Sequence, residues 1–302
     1  ILLSKGLTAD SINRMPFMNT DPSVPGYYKY QNNTDWQKKV FADNYSSNVG
    51  LRIKGGDDVA LYALSVGFSQ QKGTVKGSDN SRFNFRFNSD INFSQKVTLN
   101  SNISFNYIKK NITATNIFSY YDAVAQARVK APFLQEFIQN DQGVASPDLT
   151  NYDFLSVSNP VSLIENGQNE DMNNLLFASL NFNWDLARNL TLSNLVGMSV
   201  DKQRQSVFIP RAGIAPDSTD AGVIENQMKA RVLRHFVINN DIRIKYEPRL
   251  GVNHSLMLLA GARLNVNTLE EDWGADFNSA NDQIRSLGNG NYLLRQKGGT
   301  IG

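Results

Sequence analysis

Residues 82–107, RFNFRFNSDINFSQKVTLNSNISFNY, alternate apolar and polar side chains through two consecutive segments. The first segment has apolar positions at Phe83, Phe85, Phe87, Ile91 and Phe93, and polar positions that include Arg82, Asn84, Arg86, Asn88 and Asp90. The second segment resumes the pattern at Val97, after a short polar break at residues 94–96. A period of two places neighbouring side chains on opposite faces of a sheet, so the stretch predicts a hairpin of two strands.

The length of these strands indicates a membrane. Each runs about 11 residues, whereas strands of globular sheets are usually ~5–6 residues long. At ~3.3 Å per residue and a tilt of about 45°, such a strand rises about 25 Å, which is the height of the apolar band of an outer-membrane barrel. One face would then meet lipid, and the other, rich in Asn, Ser and Arg, would meet water. A long hairpin of a soluble β-sandwich or lectin has the same alternation, so this stretch alone leaves both interpretations open.

The rest of the chain favours the barrel. Further strands with the same period are predicted at residues 48–54, 59–69, 174–184, 190–200, 235–246 and 254–267. Short turns follow every odd strand and long loops follow every even one, as in up-and-down barrels of the outer membrane but not in Greek-key sandwiches. We therefore predict an all-β fold, a transmembrane antiparallel up-and-down β-barrel with long extracellular loops that contain short helices. Ser101 and Asn240 interrupt its apolar faces.

Two helices are predicted inside the loops. Thr34 and Gln37 have the spacing of a capping box, so the first helix is expected to start near Trp36. The second follows a helical period through Ile117, Tyr120, Tyr121, Val124 and Arg128, and ends before Pro132. Residues 108–173 are otherwise expected to be a long insertion, residues 201–227 a loop, and the tail after residue 267 loop-like.

Composition narrows the class of protein. The chain has 302 residues, 41% of them hydrophobic, but no apolar run approaches the ~18 residues of a transmembrane helix. A net charge of +2 gives no reason to expect a nucleic-acid partner. The absence of cysteine excludes disulfides and thiolate sites. The first residues do not resemble a signal peptide, and the last ones lack an aromatic closing strand, so the chain is expected to be a fragment of a longer protein.

Motifs for catalysis are lacking. The sequence contains no G-x-S-x-G, H-E-x-x-H or Walker pattern, and residues 288–290 have too few glycines for a phosphate loop. We therefore predict that the protein is not an enzyme and carries no cofactor. His235 and His254 are predicted to lie far apart, so no metal site is expected there. Acidic clusters at residues 217–220 and 270–272 are expected to be solvated loops, with Ca²⁺ binding as the alternative.

Two groups of side chains are candidates for contact with a transported molecule. The first group comprises polar positions predicted to face an aqueous lumen, namely Arg52, Lys54, Arg82, Asn84, Arg86, Asn88, Asp90, Asp241, Arg243, Lys245 and Arg263. Its basic excess would favour anionic cargo or would pair with acidic groups of an internal plug. The second group comprises loop aromatics that could stack on sugars or peptide side chains, or on one another, namely Tyr120, Tyr121, Tyr152 and Trp273.

Several of these stretches, taken in order, resemble one known family. NTDWQ at residues 33–37 is followed by GGD at 55–57, YALSVGF at 62–68, QKGTVKGSD at 71–79, and then Arg82 and Phe83. This ordered set resembles the SusC/RagA family of TonB-linked outer-membrane proteins of Bacteroidetes. Residues 276–278 and 284–288 resemble a second stretch of the family more loosely.

The resemblance implies a barrel of about 22 strands, filled by an N-terminal plug and capped by a SusD-like surface lipoprotein. It implies import of oligosaccharides or peptides through the bacterial outer membrane, energised by the TonB complex. Residues 1–302 would be the middle of one barrel domain, without plug, TonB box or closing strand. A scaffold subunit of a larger envelope or secretion complex and a soluble carbohydrate-binding β-domain remain as alternatives.

Overall fold

The computed structural model describes residues 3, 6–113, 122–219, 222–251 and 253–302. Its strands are β1 (Ser46–Gly56), β2 (Ala60–Lys72), β3 (Asp79–Ser94), β4 (Val97–Asn111), β5 (Phe137–Gln139), β6 (Ala145–Leu149), β7 (Gln168–Ala187), β8 (Leu190–Ile209), β9 (Asp217–Thr219), β10 (Gly222–Ile224), β11 (Gln227–Tyr246), β12 (Leu258–Phe277) and β13 (Tyr292–Ile301). Its α-helices are α1 (Ala9–Asn13), α2 (Trp36–Val40), α3 (Ala123–Val129) and α4 (Pro160–Glu165), with 3-10 helices at Pro16–Met18 and Tyr27–Tyr30.

Nine of the strands form a single antiparallel sheet in the order β1-β2-β3-β4-β7-β8-β11-β12-β13. The two remaining pairs, β5–β6 and β9–β10, are small hairpins inside the connections. Every strand of the large sheet pairs with the next one in chain order, which is the up-and-down arrangement expected from the sequence. Among the described residues β1 does not pair with β13, so the sheet is an open meander rather than a closed barrel.

The register of this sheet collects the apolar side chains on one face, which we call the apolar face. Phe87 lies directly opposite Leu64 on β2 and Ile103 on β4. The same row continues across the other strands through Ala178, Met198, Ile238 and Val266. Side chains on this face are open to the surroundings, with 73% of Val49 exposed, so the face is not packed against a second sheet. The opposite, polar face carries Arg82, Asn84, Arg86 and Asn88.

The strands are longer than the alternation of the sequence predicted. β7, β8, β11 and β12 each contain 20 residues, against the 11 to 14 expected. The insertion at residues 108–173 and the loop at 201–227 are correspondingly shorter than predicted. The additional residues extend the strands toward the long connections. There the side chains on both faces are mixed or polar, so the alternation of apolar and polar residues disappears while the hydrogen-bonded ladder continues.

The prediction of a loop-like tail after residue 267 is wrong. β12 continues to Phe277, and β13 pairs with it from Tyr292 to Ile301. The eighth strand also begins at Leu258, not at His254 as predicted. Acidic residues 270–272, expected in a solvated loop, therefore lie within β12, where Arg231 and Arg234 of β11 pair with them.

The two polar residues of the apolar face have different surroundings. Ser101 lies opposite Ser89 of β3, and their hydroxyl oxygens are 2.6 Å apart, so the two side chains hydrogen-bond to each other. This pair removes most of the cost of placing a hydroxyl in an apolar environment. Asn240 is exposed between Val196 and Leu264, its direct partners on the neighbouring strands.

Both predicted helices exist, with different boundaries or caps. α2 begins at Trp36, but Asp35 accepts the hydrogen bond of the Lys38 amide at 3.1 Å and is the N-cap. Thr34, the predicted cap, instead donates its hydroxyl to the carbonyl of Leu134 at 2.6 Å. α3 starts after its N-cap Asp122, so the part of the prediction at residues 117–121 lies outside the described residues.

The long connections gather at one end of the sheet into what we call the loop layer, comprising the described residues of 7–45, 112–167 and 210–226. Its core joins helices α2, α3 and α4 to the C-terminal end of β8. The buried members are Trp36, Val40, Ala123, Ala127, Val161, Leu163, Val207, Ile209 and Ile214. Val207 and Ile209 point to the polar face, because they alternate with the apolar-face positions of β8. The loop layer therefore packs on the polar side of the sheet, over one end of it.

Candidate functional site

On β1–β4 the polar face forms a basic, amide-rich cleft. Arg52 and Arg86 belong to one register row and flank Ser65 of β2. In the next row Gly50 lies opposite Gly67, so the floor of the cleft carries no side chain. Its volume is about 530 Å³. Among the described residues no carboxylate forms a salt bridge with Arg52 or Arg86, and the cleft therefore presents uncompensated positive charge.

On β11–β12 the polar face neutralises its own charge. Asp241, nearly buried, accepts hydrogen bonds from Nε of Arg243 at 2.6 Å and Nε of Arg263 at 2.7 Å. Arg263 of β12 lies directly opposite Asp241 of β11, and Arg243 follows Asp241 by two residues on β11. Lys245 pairs with Glu247 at 3.0 Å. Arg243, Lys245 and Arg263 thus have acidic partners within this chain, so the basic excess of the polar face does not come from them.

The remaining residues predicted for the lumen lie on the polar face as well. Arg82, Asn84, Asn88 and Asp90 alternate along β3 with the phenylalanines of the apolar face. Asp90 accepts a hydrogen bond from the amide of Asn100 on β4 at 2.8 Å. The positive charge of the polar face is thus concentrated on β1–β3, which the sequence pattern did not show.

Hydrogen bonds to buried side chains fix the loop layer. The indole Nε1 of Trp36 donates to the carbonyl of Ala131 at 2.9 Å. Asn159, completely buried, caps α4 through its side-chain oxygen and donates its amide to the carbonyls of Glu136 and Thr150. Satisfied buried polar groups hold a connection in one arrangement, because any alternative leaves them unpaired. The loop layer is therefore a packed scaffold for the surface it exposes.

A cleft of about 420 Å³ opens in the loop layer beside Tyr152. Its lining contains the aromatic side chains of Tyr30, Phe137, Tyr152 and Phe154 and the amides of Gln135, Gln139 and Asn151. Tyr152 and Phe154 are about half exposed. Phe17 stacks on Phe154 with 5.2 Å between ring centroids and so supports the wall. Flat aromatic surfaces beside amide groups can stack on and hydrogen-bond to sugars or peptides.

A buried ion pair lies at the base of this cleft. Lys130 Nζ is 3.7 Å from Asp153 Oδ2, and their side chains are only 1% and 5% exposed. Nζ also donates to the carbonyl of Val157 at 3.0 Å and lies 5.5 Å from the ring centroid of Trp36. Burial lowers the pKa of Lys130, and the attraction of Asp153 opposes that shift. No sequence pattern indicates this pair, because the two residues are far apart along the chain.

The predicted aromatic residues do not form one site. Trp273 lies on the polar face of β12, where its indole Nε1 donates to Gln296 of β13 at 3.0 Å. Tyr152 lies in the loop-layer cleft, on a different part of the chain. Tyr120 and Tyr121 lie outside the described residues.

Residues 288–290 form an anion-binding turn that is already occupied. The backbone amides of Gly288, Asn289 and Gly290 donate to Oδ2 of Asp276 at 2.7, 2.9 and 2.9 Å. Three amides around one carboxylate oxygen form the kind of nest that binds anions in other proteins. Here the anion is a side chain of the same chain, which closes the β12–β13 connection.

Two kinds of feature are lacking in the described part of the chain. No helix there is both long and apolar enough to cross a bilayer. No cluster of three or more His, Cys, Asp or Glu side chains there could hold a metal ion. His235, one of the two histidines considered from the sequence, instead contacts Asn267 at 2.7 Å.

An antiparallel meander with one exposed apolar face and one polar face defines part of the wall of an outer-membrane β-barrel. Two receptors of one organism are similar to this chain in sequence. TonB-dependent receptor P26 of Formosa agariphila is 24% identical over 270 residues, which are 89% of this chain and 25% of that protein. TonB-dependent receptor P3 of the same organism is 31% identical over 71 residues, 24% of this chain and 7% of the receptor. No protein-family profile matches the chain.

Solved structures agree at the level of the fold. The RagAB peptide importer in its closed-closed state has a TM-score of 0.66 at 15% identity and covers 98% of this chain and 35% of its own. Another structure of the RagAB peptide transporter has a TM-score of 0.64 at 14% identity, covering 89% and 30%. The resemblance to TonB-linked barrels of the SusC/RagA type is therefore confirmed. The chain spans about a quarter of receptor P26 and about a third of the RagAB chains.

Proposed function

We propose that this chain is part of a TonB-dependent outer-membrane transporter that imports large nutrients, oligosaccharides or peptides, together with a SusD-like surface lipoprotein. The observation that carries the proposal is the sheet itself, whose exposed apolar face suits lipid and whose polar face suits an aqueous passage. Similar proteins support it, since they are receptors and importers and not enzymes. In this proposal residues 1–302 belong to one barrel domain, and the chain carries no cofactor.

The polar face and the loop layer have separate roles in this proposal. The polar face lines the passage, and its basic cleft around Arg52 and Arg86 meets anionic groups of the cargo or of a plug. The cleft beside Tyr152 makes the first contact with cargo at the extracellular end. Trp273 would add a further stacking surface, and the same role in cargo binding is proposed for Tyr120 and Tyr121. Passage itself would be driven by the TonB complex, acting on parts of the protein outside this chain.

Uptake by the full-length protein in its outer membrane tests the proposal. Labelled oligosaccharide and peptide pools of nutrient size are offered to cells with and without the gene, and with and without a proton-motive force. We expect energy-dependent uptake of at least one pool that disappears with the gene. Unchanged uptake combined with loss of a larger envelope complex would instead show a scaffold, and would overturn the proposal.

A variant of the cleft tests its part in cargo capture. Tyr152→Ala removes one aromatic wall, and stacking contributes about 0.5–1.5 kcal/mol beyond area burial, so KM for uptake should rise about 2- to 12-fold. Tyr45→Ala is the matched control, because Tyr45 is also exposed but lies outside the cleft lining. Equal uptake by both variants would show that the cleft does not contact cargo.

A further inference from the structure

Beyond its last apolar residues, toward the loop layer, the apolar face of the sheet carries a cluster of basic residues. Val200 of β8 and Phe236 of β11 form the last apolar cross-strand pair, and the next pair on the same face is Lys202 and Arg234. Arg204 follows two residues later on the same side. We call Lys202, Arg204 and Arg234 the rim cluster. At ~3.3 Å per residue its first pair lies about 7 Å beyond Val200 along the tilted strand, at the depth of lipid headgroups.

The sheet places these three cations together and pairs only Arg234 with carboxylates. Lys202 and Arg234 are direct cross-strand partners, and like charges in that position repel. Arg234 pairs with Glu270 at 3.3 Å and with Asp272 at 3.7 Å. Among the described residues no carboxylate pairs with Lys202 or Arg204. On β8, two cations without a carboxylate partner in the described part of the chain therefore remain beside the lipid boundary.

None of the direct cross-strand partners of Lys202 and Arg204 is acidic. Arg204 is flanked in the register by Met172 of β7 and Val232 of β11, both apolar. Two acids lie nearby on the same face: Glu170 of β7 is paired with Lys109 at 2.5 Å, and Asp272, in the register row of Arg204, is paired with Arg234 at 3.7 Å. Lys202 and Arg204 therefore remain available to an external anion.

We propose that the rim cluster binds the phosphate groups of an anionic glycolipid in the outer leaflet. The cluster is continuous with the lipid-exposed apolar face, so a molecule that covers that face also reaches Lys202 and Arg204. Guanidinium and ammonium groups both bind phosphate, the first through a bidentate fork and the second as a point charge. The site lies outside the passage, so it can exist whether or not the protein transports a nutrient.

Lipid titration of the full-length protein in detergent, followed by native mass spectrometry, tests the proposal. The probes are diphosphoryl lipid A and its enzymatically dephosphorylated form. Wild-type protein should prefer the diphosphoryl form, and Lys202→Ser/Arg204→Ser should weaken that binding about 25-fold, at about fivefold per basic side chain near a charged lipid. Binding of the dephosphorylated form should not change.

The matched control is Lys96→Ser/Arg188→Ser, which removes two exposed basic residues from the β3–β4 and β7–β8 turns at the opposite end of the sheet. It should bind diphosphoryl lipid A as the wild type does. Equal weakening by both double variants, or equal binding of the two lipids by wild type, would overturn the proposal. Because a variant could fail to fold, wild-type binding is also measured against salt. Preference for the diphosphoryl form must fall as ionic strength rises, and a salt-independent preference overturns the proposal as well.

Discussion

A charge placed at Phe87 tests the central assignment of the two faces. Phe87 lies on β3 between Leu64 and Ile103, four residues from Phe83 and six from Phe93, which bound the apolar part of the strand. Its side chain is therefore close to the middle of the lipid layer. An arginine at the midplane of a membrane barrel costs about 2–4 kcal/mol. We expect Phe87→Arg to lower the folding equilibrium by about 30- to 1,000-fold.

The neighbouring residue provides the control. Asn88→Arg introduces the same side chain one position later on the polar face, next to Ala63 and Asn102. Water reaches that face, so we expect a change within about 0.5 kcal/mol. The assay is urea unfolding of the full-length protein in lipid vesicles, read by the electrophoretic shift between folded and unfolded forms. A loss for Asn88→Arg as large as that for Phe87→Arg would refute the assignment of lipid and water to these faces.

Three further predictions concern the connections. Gly290→Ala would drive a methyl group into Asp276, so we expect a loss of about 1–3 kcal/mol, seen as faster proteolysis of residues 278–291. Lys130→Met leaves the carboxylate of Asp153 buried without its cation, at a cost of about 3–5 kcal/mol, measured as chymotrypsin cleavage of residues 122–167. Two backbone amides of the β1–β2 turn lower the pKa of Asp57 below its usual value of 3.8, so its stabilisation is complete above that value. The stabilisation is lost as pH falls through the lowered pKa, which hydrogen exchange of the turn amides would follow.

Each of these predictions has a matched control. Gly298→Ala should leave proteolysis unchanged, because nothing lies within 4 Å of the added methyl group. Lys130→Met/Asp153→Asn should recover part of the loss if the unpaired charge is its cause. Asp57→Asn should abolish the acid-dependent exchange of the turn. Persistence of that acid step in the variant would assign it to another group.

The sequence was sufficient to predict the faces and the topology of the sheet but not the ends of its strands. Where one face meets lipid and the other meets water, as from Phe83 to Ile91, selection for two solvents produces a strict period of two. In residues 168–173 both faces of β7 meet water or protein, so no hydrophobic contrast marks the strand. The sequence of β13 also lacks a regular alternation, so its pairing with β12 is the feature that identifies it as a strand.

Contacts between strands were beyond prediction because a period assigns a residue to a face and not to a neighbour. Asp241, Arg243 and Arg263 were correctly grouped on one polar face, but their pairing depends on the register between β11 and β12. A shift of two residues would preserve the face and separate the carboxylate from Arg263. The same reason applies to Lys130 and Asp153, which the loop layer brings together.

The edge of the apolar face provides independent support for lipid. On β3 and β4 the apolar residues continue to Phe83 and Tyr107, yet the next partners in that register row are Asn174 and Lys202. The next row of the same face, one step farther from the loop layer, stays apolar through Leu176, Val200 and Phe236. It becomes polar only at the following partner, Thr268. From β4 to β12 the edge of the apolar face therefore moves away from the loop layer, one register row at a time. Strands of a barrel tilt by about 35–45°, so a flat membrane surface must cut successive strands at successively lower rows. Two stacked sheets of a soluble sandwich impose no such plane.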